Sequence, residues 1–140
     1  MSPGGLLRAG IRAVIGNGVV VDPAALLEEM QTLRGAGIQV QGNLFVSNRA
    51  HVIFPFHRLV EKMSEARENR IPIATTSRGI GPCYQDKVGR RSAARVGELL
   101  HPDHLRERLN VIVPRTNKML PALQPDPNTF HHDVPSLESL

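Results

Sequence analysis

The stretch TTSRGIGPCYQDKVGRR, residues 75–91, brings together hydroxyl groups, glycines and basic side chains, all of which suit an anion. It opens on hydroxyl side chains that can donate hydrogen bonds. Gly79 and Gly81 follow, and they let backbone N–H groups approach a ligand closely. Pro82 suits the first position of a helix, where a missing N–H leaves no partner unpaired. A helix starting there would add free N–H groups and a partial positive charge.

Basic residues continue beyond this predicted helix start. Lys87 lies three residues before Arg90 and four before Arg91, so a helix would place all three on one face, opposed nearby only by Asp86. The residues alone predict a phosphate or nucleotide site at a loop–helix junction. A solvated basic helix after a flexible glycine loop is the alternative. The stretch is neither a Walker loop nor a GxGxxG loop.

Residues 79–90, GIGPCYQDKVGR, match the signature GIGPxYxxKxxR of adenylosuccinate synthetases at every specified position. Three more segments resemble that family in the same order: 4–7 (GGLL), 15–20 (IGNGVV) and 47–51 (SNRAH). A fixed pattern of this length is far more specific than a two-glycine loop. The chain is therefore identified as resembling adenylosuccinate synthetases from about residue 3 to about residue 120.

This resemblance implies a fold and an activity. The fold would be α/β, part of the P-loop-NTPase-like adenylosuccinate synthetase fold, with short strands and several amphipathic helices. Family members ligate IMP and L-aspartate to adenylosuccinate in AMP (purine nucleotide) biosynthesis. GTP is the co-substrate and Mg²⁺ accompanies it. They are cytoplasmic homodimers. Phosphoryl transfer of this kind depends on positioning and on neutralising spread negative charge.

The resemblance also assigns roles to individual residues. Thr76 matches the threonine that binds the 5′-phosphate of IMP, and Arg90 matches the arginine that reaches this phosphate from the neighbouring subunit. Lys87 matches the lysine marked as catalytic. Arg can hold two phosphate oxygens in its fork whereas Lys acts as a point charge. Plausible supporting residues are Thr75, Arg78, Gly79 and Gly81.

Several family segments have no counterpart in this sequence. They are the phosphate loop GDEGKGK, the guanine-recognition segment TKLD and the arginine-rich aspartate-binding loop. The main contacts to GTP and Mg²⁺ belong to such segments in the family. The chain therefore corresponds to an internal part of a longer enzyme, and we expect no catalysis from it alone.

Composition sets the remaining limits. A chain of 140 residues can form one domain with a sizeable core. Its one cysteine, Cys83, excludes an internal disulfide and is consistent with a reducing compartment. No apolar run approaches 18 residues, and the start lacks a signal-peptide pattern, so we expect a cytoplasmic protein without a membrane partner.

Charge points to a small anionic partner. The formal net charge is +4, and residues 78–95 alone carry five basic side chains against Asp86. Such concentration favours one anion over a generally basic surface. Nucleic acid is disfavoured because long basic runs and stacking aromatics are missing. Two alternatives remain open: a small basic anion- or nucleic-acid-binding module without catalysis, and an inert product of a truncated gene.

Short strands are predicted along the first half of the chain. Residues 13–21 form a strand pattern interrupted by Gly-Asn-Gly at 16–18, so two short strands or one bulged strand would fit. Further short strands are predicted at 38–40, 44–46 and 71–74. The last of these runs into Thr75, and a strand end that leads into a loop and a helix is a usual ligand position in an α/β sheet.

Helices are predicted between and after these strands. Asp22 and Pro23 form an N-cap pair, and Gly35 and Gly37 end that helix. A second helix runs from Pro55 or Phe56 to about residue 69, and its solvent face holds Arg58, Glu61, Lys62, Glu65 and Glu68.

The C-terminal half is predicted to hold helices at 94–100 and 101–123, with Pro114 kinking or ending the second and a new short helix near 119. The resemblance implies that residues 1–123 form a partial synthetase domain, and we expect the Pro-rich residues 124–140 to form an unstructured tail. His51 and His57 are assigned to core or capping roles, and no metal site is predicted. His131, His132 and Asp133 are assigned to the mobile tail.

Overall fold

A computed structural model describes residues 11–65, 76–90 and 92–123. The predicted strand at 71–74, the hydroxyl of Thr75, Arg91 and the predicted tail lie outside the described residues. The elements in chain order are β1 (Ala13–Ile15), β2 (Val20–Val21), α1 (Pro23–Gly35), β3 (Leu44–Val46), β4 (His51–Val52), α2 (Pro55–Glu65), α3 (Ile80–Gly89), a 3₁₀ helix (Val96–Leu100) and α4 (Pro102–Leu123).

The described strands form two parallel pairs. β1 pairs with β3 and β2 pairs with β4, so each pair is joined across α1. Parallel strands need a crossover of a dozen or more residues, and α1 with its flanking turns supplies it. The α/β class predicted from the sequence is therefore confirmed. The 13–21 segment forms two strands separated by a turn, which is one of the two predicted arrangements.

The main core lies between β4, α2 and α4. Phe54 and Phe56 stack with ring centroids 5.4 Å apart. Buried around them is an apolar cluster: Val52, Ala94, Leu109 and Ile112. Burying a Val, Leu, Ile or Phe side chain contributes about 1.5–3 kcal/mol to the stability of the fold. This cluster holds α4 against the strand end from which α2 begins.

The start and end of α1 agree with prediction. Oδ1 of Asp22 accepts a hydrogen bond from the N–H of Ala25 at 3.2 Å, and Pro23 is the first helical residue. Gly37 takes φ 77° just after the helix ends. Yet α1 buries none of its residues within the described part of the chain. No helix in that part is long and apolar enough to cross a membrane.

The predicted strand at 38–40 is wrong. These residues have no regular secondary structure, although Val40 is buried. The carbonyl of Val40 accepts hydrogen bonds from the N–H groups of both Asn43 and Leu44. The apolar pattern therefore reflects burial next to a tight turn, since this carbonyl is used within the turn.

Pro114 does not end the helix, which was one of the two outcomes predicted for it, and the separate helix predicted near residue 119 is wrong. α4 is continuous and contains both Pro114 and Pro121. Proline inside a helix costs about 3 kcal/mol. The helix continues because one buried stripe extends along its length on both sides of Pro114: Leu109, Ile112, Val113, Thr116 and Leu120.

We predict that Ile112→Ala will lower the free energy of unfolding by about 2–5 kcal/mol, because the substitution leaves a cavity in the core. Ile112 is 2% exposed. Its neighbour Val111 is 66% exposed, so Val111→Ala should change stability by no more than about 0.5 kcal/mol. Urea unfolding followed by circular dichroism measures both. Equal losses would contradict this assignment of the core.

Candidate functional site: the loop before helix α3

Residues 76–79 form the loop that leads into α3, and Gly79 fixes where it ends. Gly79 is the N-cap residue of α3 and has φ 76°. A Cβ added here would lie 2.8 Å from the backbone nitrogen of Arg58 and 2.9 Å from the Cβ of His57. Real Cβ atoms essentially never come this close. The first glycine of the signature is therefore required by backbone contact with α2.

Helix α3 begins at Ile80, two residues before the predicted start at Pro82. The first four N–H groups of a helix have no partner within it, so proline is tolerated throughout the first turn. Pro82 therefore lies inside that turn. The left-handed conformation of Gly79 determines the starting residue, and proline alone could not show this.

Glu61 was predicted on the solvent face of α2, and this is wrong. Its side chain is buried, and its Oε2 accepts a hydrogen bond from the N–H of Gly79 at 2.6 Å. A buried carboxylate needs such a donor, since an unpaired buried charge is costly. Glu61 follows His57 by four residues and so shares its side of the helix. This four-residue spacing from His57 is the feature of the sequence that could have indicated that Glu61 is buried.

His57 links α2 to the middle of α3. Its Nδ1 accepts a hydrogen bond from the N–H of Phe54 at 2.9 Å, so the ring proton lies on Nε2. Nε2 then donates to Oδ2 of Asp86 at 3.1 Å. The predicted core role of His57 is confirmed by its burial. The carboxylate of Asp86 therefore pairs with a buried histidine, and its role is not limited to balancing the basic side chains of the signature.

Lys87 holds the loop between β1 and β2. Its Nζ donates to the carbonyl oxygens of Asn17 and Gly18, both at 2.8 Å. The hydroxyl of Tyr84 donates to the same Gly18 oxygen at 3.0 Å. The ammonium also lies 5.2 Å from the centroid of the Tyr84 ring, within the range of a cation–π contact. An ammonium has three N–H donors, so one remains for a ligand.

Arg90 does not share a helical face with Lys87, contrary to prediction. α3 ends at Gly89, and Arg90 turns into the left-handed region with φ 60°. Its backbone N–H donates to the carbonyl of Asp86 at 2.9 Å. The side chain is exposed, and within the described ranges its guanidinium forms no hydrogen bond or ion pair. It is therefore available to another molecule.

An open groove of about 860 Å³ lies beside the loop, between α1 and the β1–β2 segment. Ser77 and Arg78 line it, as does Tyr84. Thr76 is exposed one residue before this lining, whereas Lys87 is fastened to the neighbouring β1–β2 loop. No hydrogen bond joins Thr76, Lys87 and Arg90 to one another in the described part of the chain. Ser77 and Arg78 therefore lie at the groove, whereas Thr76, Lys87 and Arg90 are not among the described residues that line it.

Two other titratable groups near the loop have shifted pKa values. Burial, with the Asp86 carboxylate, raises the pKa of the Cys83 thiol to about 12. This thiol donates to the carbonyl of Val52 at 3.3 Å, so it ties α3 to β4 and is not a nucleophile at neutral pH. Burial, Lys87 and Arg95 together lower the pKa of His51. No group of three metal-ligating residues exists among the described residues.

Comparison with known proteins matches the family model of adenylosuccinate synthetase to residues 1–139. The synthetase of Solibacter usitatus is 62% identical over 104 residues, which are 74% of this chain and 24% of that protein. The Koribacter versatilis synthetase is 54% identical over 121 residues, which are 86% of this chain and 27% of that protein. The structure of fully ligated adenylosuccinate synthetase from Plasmodium falciparum aligns with a TM-score of 0.77 at 28% identity. The alignment covers 87% of this chain and 28% of that one. The chain thus spans about a quarter of the length of these relatives.

We predict that Gly79→Ala will destabilise the chain by about 1–3 kcal/mol, because alanine would be strained at this φ and would collide with α2. Gly35 ends α1 with open space around it. Gly35→Ala should therefore be neutral or stabilising by about 0.4–1 kcal/mol. Thermal and urea unfolding of both variants measure the difference. A Gly79→Ala protein as stable as Gly35→Ala would contradict the contact with α2.

We also predict that lowering the pH will destabilise the fold in part through His51. Its pKa in the folded state lies below the ordinary value of 6.5. The unfolded chain therefore binds the proton more readily, and stability falls as the pH drops from about 6.5 through the folded-state pKa. His51→Gln should flatten this fall in urea unfolding between pH 7 and 5. His101→Gln, at an exposed position, should leave the slope unchanged. An unaltered slope in His51→Gln would contradict the prediction.

Proposed function

This chain belongs to the adenylosuccinate synthetase family, and we propose that it supplies the IMP 5′-phosphate contacts of that enzyme. The proposal depends chiefly on the signature loop: Gly79 is pressed against α2, and the residues just before it face outward. A glycine with this required contact holds the preceding hydroxyl and basic groups in one conformation. Preorganised donors of this kind suit the binding of a phosphate.

Thr76 and Arg90 are the proposed contacts to that phosphate. The hydroxyl of Thr76 is exposed at the open end of the loop, and the guanidinium of Arg90 is exposed beyond the end of α3. An exposed arginine without an ion pair in the described residues suits a contact made to a neighbouring subunit. We therefore extend the proposal to a homodimer in which Arg90 reaches the phosphate held by its partner.

Lys87 and the supporting residues complete the proposed site. Lys87 is proposed as the catalytic lysine, with its third N–H directed to substrate while the other two hold the β1–β2 loop. Arg78 lines the groove and would add positive charge beside the phosphate. Thr75, Gly79 and Gly81 would shape the same loop.

The reaction proposed for the complete enzyme is the GTP-dependent ligation of IMP and L-aspartate to adenylosuccinate, in the cytoplasm. The described residues offer no cluster of ligands that fits Mg²⁺. They also lack the GDEGKGK segment that contacts GTP in the family. We therefore assign no step through Mg²⁺ or GTP to this chain, and we propose that it is inactive alone. Its contribution is to bind and orient IMP.

We predict that Arg90→Leu will weaken IMP binding by about 1.5–3 kcal/mol, the loss of a charged hydrogen bond. Isothermal titration of the 140-residue chain with IMP measures this. Arg106→Leu removes the same charge from an exposed position on α4 and should leave the affinity unchanged. Equal affinity of Arg90→Leu and the wild-type chain would contradict the Arg90 assignment.

Titration with a single-stranded oligonucleotide tests the competing binding module. That module should bind the oligonucleotide with an affinity that falls steeply as salt is raised. The proposed function requires binding of IMP and none of the oligonucleotide. Oligonucleotide binding without IMP binding would overturn it.

A further inference from the structure

The start of α3 already contains an anion, the carboxylate of Glu61. Oε2 of Glu61 lies 2.6 Å from the nitrogen of Gly79, and the residue is 8% exposed. The free N–H groups at the start of a helix ordinarily attract the phosphate of a ligand. Here the first of them is taken by a residue of the chain itself. Substrate phosphate therefore cannot use this N–H unless Glu61 moves away.

The same carboxylate also lies beside the first turn of α3. A Cβ added to Gly81 would lie 3.9 Å from Oε1 of Glu61, so this second oxygen is close to the next glycine of the signature. Both glycines thus lie beside one buried acidic group. Two residues with positive φ, Ser77 and Gly79, flank Arg78 in the loop. A positive φ is costly for a residue such as Ser77 that is not glycine. The hydrogen bond between the N–H of Gly79 and Glu61 is one interaction that holds this loop.

We propose that Glu61 is a positioning residue that acts as an internal hydrogen-bond acceptor at the start of α3. It holds the N–H of Gly79, keeps the loop at 77–79 in its left-handed turns, and directs substrate phosphate toward Thr76 and Arg78. This inference rests on the proposed function, because it specifies which end of the signature loop the phosphate uses.

His57, one turn earlier on α2, gives the arrangement a second anchor. Its bond to Asp86 holds α3 at a second point. This point lies one and a half to two helical turns after the helix start, where Glu61 bonds to the N–H of Gly79. α2 therefore fixes both the position and the direction of α3. Glu61 is distinguished from His57 because only Glu61 bonds to the loop backbone itself.

The first test measures the loop without any ligand. Amide hydrogen exchange by NMR compares the wild-type chain with Glu61→Gln, Glu61→Ala and the control Glu107→Gln, which alters an exposed carboxylate on α4. We expect exchange of the Gly79 amide to accelerate about tenfold or more in Glu61→Ala. Glu61→Gln keeps an oxygen acceptor and should retain most of the protection. Unchanged protection of Gly79 in a folded Glu61→Ala protein would overturn the proposal.

The second test titrates the same proteins with IMP and with inosine, which lacks the phosphate. Glu61→Ala should reduce the preference for IMP over inosine by about tenfold, which corresponds to one hydrogen bond. Glu61→Gln should restore that preference to within about threefold of wild type. A general loss of structure would weaken both ligands together and leave the ratio unchanged. An unchanged ratio, or tighter IMP binding by Glu61→Ala, would overturn the phosphate-directing role.

The two tests separate this inference from the proposed function. If the wild-type chain does not bind IMP, the proposed function fails, and the phosphate-directing role of Glu61 fails with it. Hydrogen exchange at Gly79 then still decides whether Glu61 holds the loop. If IMP binds and the Glu61 variants match wild type in both tests, the proposed function stands and Glu61 is not a positioning residue.

Discussion

The close contact between the backbone of Gly79 and the backbone of α2 is the constraint on which the site depends. Only a residue without Cβ fits there, since an added Cβ would lie 2.8 Å from the nitrogen of Arg58. This contact brings the N–H of Gly79 to the carboxylate of Glu61 and lets Asp86 reach His57. α2 in turn is held by the apolar cluster it shares with β4 and α4. The core thus sets the position of the loop through α2.

Much of the polar chemistry in the signature serves this internal framework. Lys87 and Tyr84 both bond to the loop between β1 and β2, and Asp86 bonds to α2. Among the described residues of this stretch, Thr76, Arg78 and Arg90 remain exposed. The pattern that suggests an anion site in the sequence therefore divides into a part that builds the loop and a part that faces solvent. Substrate recognition is proposed only for the second part and for the remaining N–H of Lys87.

Sequence patterns located most elements but misjudged several local details. Asp22 and Pro23 predicted the start of α1 correctly, because capping is decided by adjacent residues. Glu61 was placed in solvent, because charge alone says nothing about a donor 18 residues further along the chain. The position of Arg90 depended on the end of α3 at Gly89. Pro114 predicted a kink or an end of α4; the helix does not end there, because burial on both sides of Pro114 outweighs the local cost of proline.

The sequence by itself determined the family, the α/β class and the residues proposed to meet IMP. A long motif of fixed spacing and the caps of α1 are encoded by neighbouring residues, so they can be read without coordinates. Only the tertiary structure decided which polar groups of the motif are used internally. Glu61, Asp86 and Lys87 each bond to a partner 18 or more residues away. Pairs so far apart in the sequence form only when the elements pack together, and packing is not encoded by neighbouring residues.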